Sequence, residues 1–259
     1  MPAAPPSPAV SRPTAGPAAP TVSRALAGLL LPVALLVALA GCSVGGDGAA
    51  PTSTPEEAGP TLADGPLPEG WTDVHGPGGL MYSVPPSWKP LGGDAPGAPP
   101  EDDSQDWGSG YVTTANSVAD LGYCPIGGGM SFRALAGLTQ PVAGHARDQA
   151  ASASRSLADS LDSRFTQNGA DVPRVDPVKI GVSGAPAWHV SLRGTVHDPR
   201  NRCTPPTIRI DAVAVRTTTP DGAEASQLFV LMADEAEPGV QPTEVVDRVV
   251  ASLRFDNSI

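Results

Sequence analysis

Trp188-His189-Val190-Ser191-Leu192-Arg193-Gly194-Thr195-Val196-His197 is the stretch that decides the fold. Trp188, Val190, Leu192 and Val196 alternate with His189, Ser191, Arg193, Thr195 and His197, the period-two pattern of a strand with one buried face. Downstream the pattern returns as Ile208, Ile210, Ala212 and Ala214. Leu228-Phe229-Val230-Leu231-Met232 is then a nearly continuous apolar run and reads as a central strand. Residues 175–182 supply one more strand on the amino-terminal side. Two helices bound this block. Ala146, Ala150, Ala153, Leu157, Leu161 and Phe165 recur every three or four residues, one face of a helix over residues 144–165 that Asn168-Gly169 would end. On its outer side Arg155 and Asp159 stand four apart, the spacing of an exposed ion pair. Val245, Val246, Val249, Val250 and Leu253 mark the core face of a closing helix, with Pro242 suited to its first turn.

Further upstream, Leu80-Met81-Tyr82-Ser83-Val84 has strand character and is halted by Pro85-Pro86, after which Trp88 returns to the core. Residues 111–115 and 130–135 read as two more strands. Between Gly92 and Gly110 the chain has no periodicity and reads as a loop, Glu101-Asp102-Asp103 included. Strands, a helix, consecutive strands and a closing helix make an α+β domain with a mostly antiparallel sheet flanked by helices. It occupies residues 70–259, long enough to bury a real core as a single domain. Aromatic residues are 4% of the chain, so Val, Leu, Ile and Ala must fill that core.

Residues 1–41 have a different character. Residues 1–23 are almost wholly Pro, Ala, Ser and Thr with one charge, Arg12, too poor in large apolar side chains to offset the entropy of ordering. Arg24, the apolar run of residues 25–39 and the small pair Ala40-Gly41 then follow in the order of a secretory signal. Leu39-Ala40-Gly41-Cys42 resembles the bacterial lipobox, in which the cysteine thiol takes a diacylglyceryl group and becomes the first residue after cleavage. A transmembrane anchor competes with this reading but needs about 20 apolar residues, more than this proline-interrupted run supplies. A conventional signal peptide with a free cysteine is the other competitor. The long leader raises the expectation that translation starts nearer Val22. Residues 42–69 are then the lipidated cysteine and a flexible linker of Gly, Ala, Pro, Ser and Thr. Membrane attachment through the lipid on the outer face of the cell membrane is the expected location.

Three cysteines occur in all. Lipidation of Cys42 leaves Cys124 and Cys203, an even number in an oxidising compartment, and their separation suits a disulfide rather than a CxxC metal pair. A redox-active thiol is the alternative. The formal net charge is −11, and loss of the two arginines of the leader makes it two units more negative. Such a surface repels nucleic acid. Candidate chemistry is thin. The four histidines are His75, His145, His189 and His197; the last two share a strand face but stand roughly 26 Å apart, too far to bind one ion. Gly127-Gly128-Gly129 lacks the lysine of a phosphate cradle, and Glu101-Asp102-Asp103 lacks the ligand spacing of a calcium loop. No catalytic residue, metal site or cofactor is expected.

Tyr82-Ser83-Val84-Pro85-Pro86-Ser87-Trp88, Gly122-Tyr123-Cys124, Phe132-Arg133-Ala134-Leu135-Ala136-Gly137, Cys203-Thr204-Pro205-Pro206 and Ala251-Ser252-Leu253-Arg254 together resemble an uncharacterised domain of actinobacterial surface lipoproteins. That resemblance implies a PsbP-like α/β/α sandwich, pairs Cys124 with Cys203, and carries over no catalytic residue. The expected function is a non-catalytic binding or accessory module of the cell envelope, its partner an envelope protein or the cell wall. A solute-binding lipoprotein of a transporter is one alternative. An envelope hydrolase is the other, and it would need acids such as Asp198, Asp211 or Asp234 to meet in one pocket.

Overall fold

The three alternating stretches become three consecutive twelve-residue strands, and everything else is placed by them. The computed structural model describes residues 60–62, 66–91, 104–107, 110–124, 131–165, 170–196, 203, 205–219, 221–236 and 239–256, all within one unit of the chain, Ser53–Ile259. In chain order the elements are β1 (Thr72–His75), a 3-10 turn (Pro77–Gly79), β2 (Leu80–Val84), β3 (Trp88–Leu91), β4 (Gln105–Asp106), β5 (Val112–Ala119), β6 (Ala134–Leu138), β7 (Val142–Ala143) and α1 (Ala146–Phe165). There follow β8 (Ala170–Asp171), β9 (Val178–Val182), β10 (Ala185–Val196), β11 (Thr207–Thr218), β12 (Glu224–Glu235), α2 (Thr243–Ala251) and β13 (Arg254–Phe255). The large sheet runs β3-β5-β6-β12-β11-β10-β8, with β4, β7 and β9 paired at its margins. β1, β2 and β13 form a second, three-stranded sheet. Every pairing between these strands is antiparallel.

Register assigns the two faces. Ile210 stands opposite Met232 and Leu192, and Ala212 opposite Val230 and Val190. Ala214 completes the row opposite Leu228 and Trp188. These side chains face α1, whose Ala146, Ala150, Ala153 and Leu157 are buried against them at the expected helical spacing. Alanines on both the helix and the strands let the helix axis lie close to the sheet. The alternate residues Val213, Val215, Phe229 and Leu231 face the other way, into a second core with Tyr82, Val84, Val246, Val249 and Leu253. The period-two pattern of β11 is therefore real, yet both of its faces are buried, because the small sheet and α2 cover the side that the sequence pattern leaves to solvent.

Several expectations shift at their edges. Residues 130–135 give way to β6, which begins at Ala134 because Ser131 is bound into the preceding loop, its hydroxyl accepting from the Cys124 amide at 3.0 Å. The strand expected over 175–182 starts at Val178, since Pro177 has no amide to give a ladder. Pro242 is the cap preceding α2 rather than part of its first turn. Leu253 is buried, but beyond the end of the helix. Ser252 links that end to β2: its Oγ accepts from the Ser83 amide at 2.8 Å and donates to the Val249 carbonyl at 2.6 Å. Asp159 lies 3.9 Å from Arg174, an exposed pair that the spacing to Arg155 does not anticipate. Cys42, Glu101-Asp102-Asp103, Gly127-Gly128-Gly129, Asn168-Gly169, His197 and Asp198 lie outside the described residues.

β5 extends well beyond Ala115 by absorbing polar residues. Ala115 takes a left-handed φ of 49°, and the register against β6 shifts between Thr114 and Ser117, a bulge. The Tyr82 hydroxyl donates to the Ala115 carbonyl at 2.8 Å and meets Ser117 Oγ at 2.9 Å. Trp107 Nε1 donates to Thr113 Oγ1 at 2.8 Å, and that hydroxyl donates to Asn116 Oδ1 at 2.6 Å. Gly137 of β6 sits beneath this cluster; a Cβ there would lie 2.0 Å from Asn116 Oδ1, so only glycine fits. Pro60–Leu62, within the stretch read as linker, also touch the fold. Thr61 forms a parallel bridge with Gly181 of β9, and the Leu62 amide donates to the Gly181 carbonyl at 3.1 Å.

Candidate functional site

Among the described residues, three places combine functional side chains with a cavity or buried charge. The first is the layer between β11 and α2. Asp211 is fully buried on the α2 face of the sheet. It accepts from Arg209 Nε at 2.6 Å and Nη2 at 3.2 Å, and lies 2.8 Å from His189 Nε2. An ionised carboxylate can only accept, so the Nε2 nitrogen carries the proton. Arg209 Nη1 reaches Asp247 of α2 at 2.6 Å. Burial alone would raise the Asp211 pKa; the hydrogen bonds and charges of His189 and Arg209 outweigh it and hold the carboxyl below its ordinary range. Burial also works against the Arg209 charge, and Asp211 with Asp247 overcomes it, raising the guanidinium further.

This row has the outline of a histidine oriented by an acid, which in hydrolases prepares a general base. Among the described residues, however, no hydroxyl or thiol is hydrogen-bonded to the imidazole. A carboxylate held ionised by Arg209 and a histidine hydrogen bond is also poorly matched to proton exchange near neutral pH. Its clear effect is structural, tying α2 to the sheet. Asp234, the other acid considered from sequence, pairs opposite Ile208 and so lies on the α1 face, while Asp211 lies on the α2 face. The two cannot share a pocket.

The second place is a groove of about 720 Å³ along the outside of α2, lined by Pro66, Leu67 and Pro68 on one side and Glu244, Asp247 and Arg248 on the other. The third is a depression of about 250 Å³ where α1 begins, lined by His145, Arg147, Asp148, Trp188, Arg216 and Glu224. Trp188 is expected on the buried face of β10 and does pack on the core, but it is only half-buried there, because α1 starts at Ala146 and leaves the end of the sheet open. Lys179, opposite Trp188 on β9, holds its ammonium 6.0 Å from the ring centroid. His145 Nδ1 lies 3.1 Å from Glu224 Oε1, and Arg216 Nε lies 3.4 Å from the same oxygen. The hydrogen bond to Glu224 raises the His145 pKa, and reciprocally His145 lowers that of Glu224. Nothing in the sequence flags this depression, since its walls come from β10, β11, β12 and the start of α1.

Cys124 and Cys203 are joined in a disulfide with their Cα atoms 5.6 Å apart, as cysteine counting and the family resemblance both anticipate. The Tyr123 hydroxyl donates to the Cys203 carbonyl, and Arg133 stacks 4.6 Å from the Tyr123 ring centroid, so Tyr123 adds a second tie between the two bridged segments. His75 lies apart from the other sites, 3.2 Å from Asp256. No group of three or more His, Cys, Asp or Glu side chains placed to hold a metal ion occurs among the described residues. No helix among them is long and apolar enough to cross a membrane.

These features define an α+β sandwich: a mostly antiparallel sheet with one helix on one face, and a second helix and a small sheet on the other. The chain belongs to the family described as a domain of unknown function, DUF8017, whose model matches residues 64–257. No curated protein matches it. Among solved structures it is similar to cyanobacterial PsbP (CyanoP) from Synechocystis sp. PCC 6803, with 12% identity over 75% of this chain and 97% of that one, at a TM-score of 0.39. It is also similar to LpqN of Mycobacterium tuberculosis, a protein involved in cell envelope biogenesis, with 12% identity over 71% of this chain and 90% of that one, at a TM-score of 0.32.

Proposed function

We propose that this chain is a lipid-anchored, non-catalytic binding or accessory module of the cell envelope, held on the outer face of the membrane through Cys42. The observation that carries the reading is the Cys124–Cys203 disulfide taken with the Leu39-Ala40-Gly41-Cys42 motif. Disulfides persist in oxidising compartments, and the motif supplies both a route there and a covalent anchor. A diacylglyceryl group with a further acyl chain meets the two-chain requirement for stable anchoring. The partner is an envelope protein or the cell wall; the acidic surface disfavours nucleic acid. The hydrolase alternative loses ground because Asp211 and Asp234 stand on opposite faces of the sheet.

Fractionation of cells producing Cys42→Ala tests the anchor. The expected result is an unprocessed precursor or protein released in soluble form, while the parent chain sediments with membranes. Unchanged maturation and membrane association in the variant would refute it.

A further inference from the structure

The depression at the start of α1 has features that core packing does not require. Trp88 and Trp107 are each 4% exposed, with their rings enclosed, whereas Trp188 forms part of the wall of an open cavity. The charges around it run against the rest of the molecule. In a chain of formal net charge −11, the lining brings Arg147, Arg216 and His145 together against Asp148 and Glu224, with Lys179 beside the indole. Glu224 is engaged by His145 and Arg216, so the two lining arginines offset the two lining carboxylates and Lys179 adds a positive charge beside the indole. Arg147 has no ion-pair partner among the described residues and projects from the first turn of α1, where helix amides also favour an anion.

Size narrows the ligand further. At about 250 Å³ the cavity falls below the roughly 300–1,000 Å³ of drug-sized pockets and suits a single ring. A flat aromatic face takes up the apolar C–H face of a ring, and guanidinium groups take carboxylate or phosphate in a two-pronged grip. We propose that the depression formed by Trp188, Arg147 and Arg216 binds a sugar ring bearing a carboxylate or a phosphate. The ring stacks on the indole and the acid is held by the two arginines. The envelope reading says where such a ligand would be met, but binding itself does not depend on lipidation.

The test uses the full chain purified in detergent, titrated with glucuronate, glucose 6-phosphate and glucose, with saturation-transfer NMR reading the ligand ring protons. At least one of the two acids should bind in about the millimolar range, roughly fivefold or more tighter than glucose. The arm that binds distinguishes carboxylate from phosphate. Trp188→Ala should abolish transfer to the ring. Arg147→Ala alters only an exposed side chain, and it should bring the acids down to the level of glucose with the melting temperature unchanged. Absence of binding by both acids, equal binding of glucose, or undiminished acid binding in Arg147→Ala would overturn the proposal. Loss of membrane attachment in Cys42→Ala would leave these titrations unaffected, so the two proposals fail separately.

Discussion

The two faces of the large sheet are closed by different physics. On the α1 face the contact is mainly apolar, Ala146, Ala150, Ala153 and Leu157 against Val190, Ile210, Ala212, Ala214 and Val230, with uncharged ties from Ser226 to Gln149 at 2.6 Å and from Ser160 to the Trp107 carbonyl at 2.9 Å. On the α2 face an apolar core of similar depth also encloses polar groups. Arg209 is 4% exposed and Asp211 0%, while buried Gln227 donates to the Pro77 carbonyl at 2.7 Å and the Thr139 carbonyl at 2.9 Å. Apolar side chains hold a helix through close packing, whereas buried charges are satisfied only where their partners stand. The α1 face therefore rests mainly on shape, and the α2 face also on a specific set of charged partners.

Breaking the charge row is the largest expected effect. Arg209→Met leaves Asp211 buried with one cation fewer and should lower stability by about 3 to 5 kcal/mol, measured by denaturant unfolding. Converting Asp211 to Leu in the same chain should recover much of that loss, because well-packed apolar replacements of a buried pair are often neutral. Full loss in the double variant would show that His189 and Asp247 depend on the row too. The pH dependence has a definite sign. The folded Asp211 pKa lies below the ordinary 3.8, so its stabilisation is complete above that value and is lost as pH falls through the folded pKa. Asp211→Asn should be less stable than the parent at neutral pH, with the gap closing under acid conditions.

Apolar truncation compares the faces directly. Leu157 of α1, 2% exposed, and Leu253, 3% exposed after α2, should each cost about 2 to 5 kcal/mol when changed to Ala. A loss of only a few tenths at either position would show that face to be loosely packed. The smallest effect belongs to the surface. Glu224→Gln removes the carboxylate shared by His145 and Arg216, and it should leave the unfolding midpoint in place while lowering the His145 pKa followed by NMR.

The sequence makes the α1 face easier to read than the α2 face for the same reason. Ala146 to Leu157 and Trp188 to Leu228 announce themselves by period, because packing by shape leaves an alternation in the chain. Polar closure leaves none. Tyr82 reaches Ser117, Ser252 reaches Ser83 and Gln227 reaches Pro77 across 35, 169 and 150 positions, so each looks like a surface residue until its partner is known. The margins failed similarly. β1 carries no apolar alternation, since only Val74 among its four residues is buried. β6 reads Ala-Leu-Ala-Gly-Leu, small residues of low strand preference that are nonetheless all buried, with Gly137 lying under Thr113 and Asn116. Of the candidate site positions, the Cys124–Cys203 pair was legible from counting. The Trp188 depression was not, because its walls meet only once the sheet is formed and α1 begins short of its end.

Mass spectrometry of non-reduced, alkylated protein from the membranes of producing cells checks the anchor and the bridge together. The expected spectrum contains an amino-terminal peptide that begins at Cys42 and carries a diacylglyceryl group, together with a linked pair of peptides containing Cys124 and Cys203. An amino terminus upstream of residue 42 with an unmodified Cys42 thiol, or alkylated Cys124 and Cys203, would contradict it.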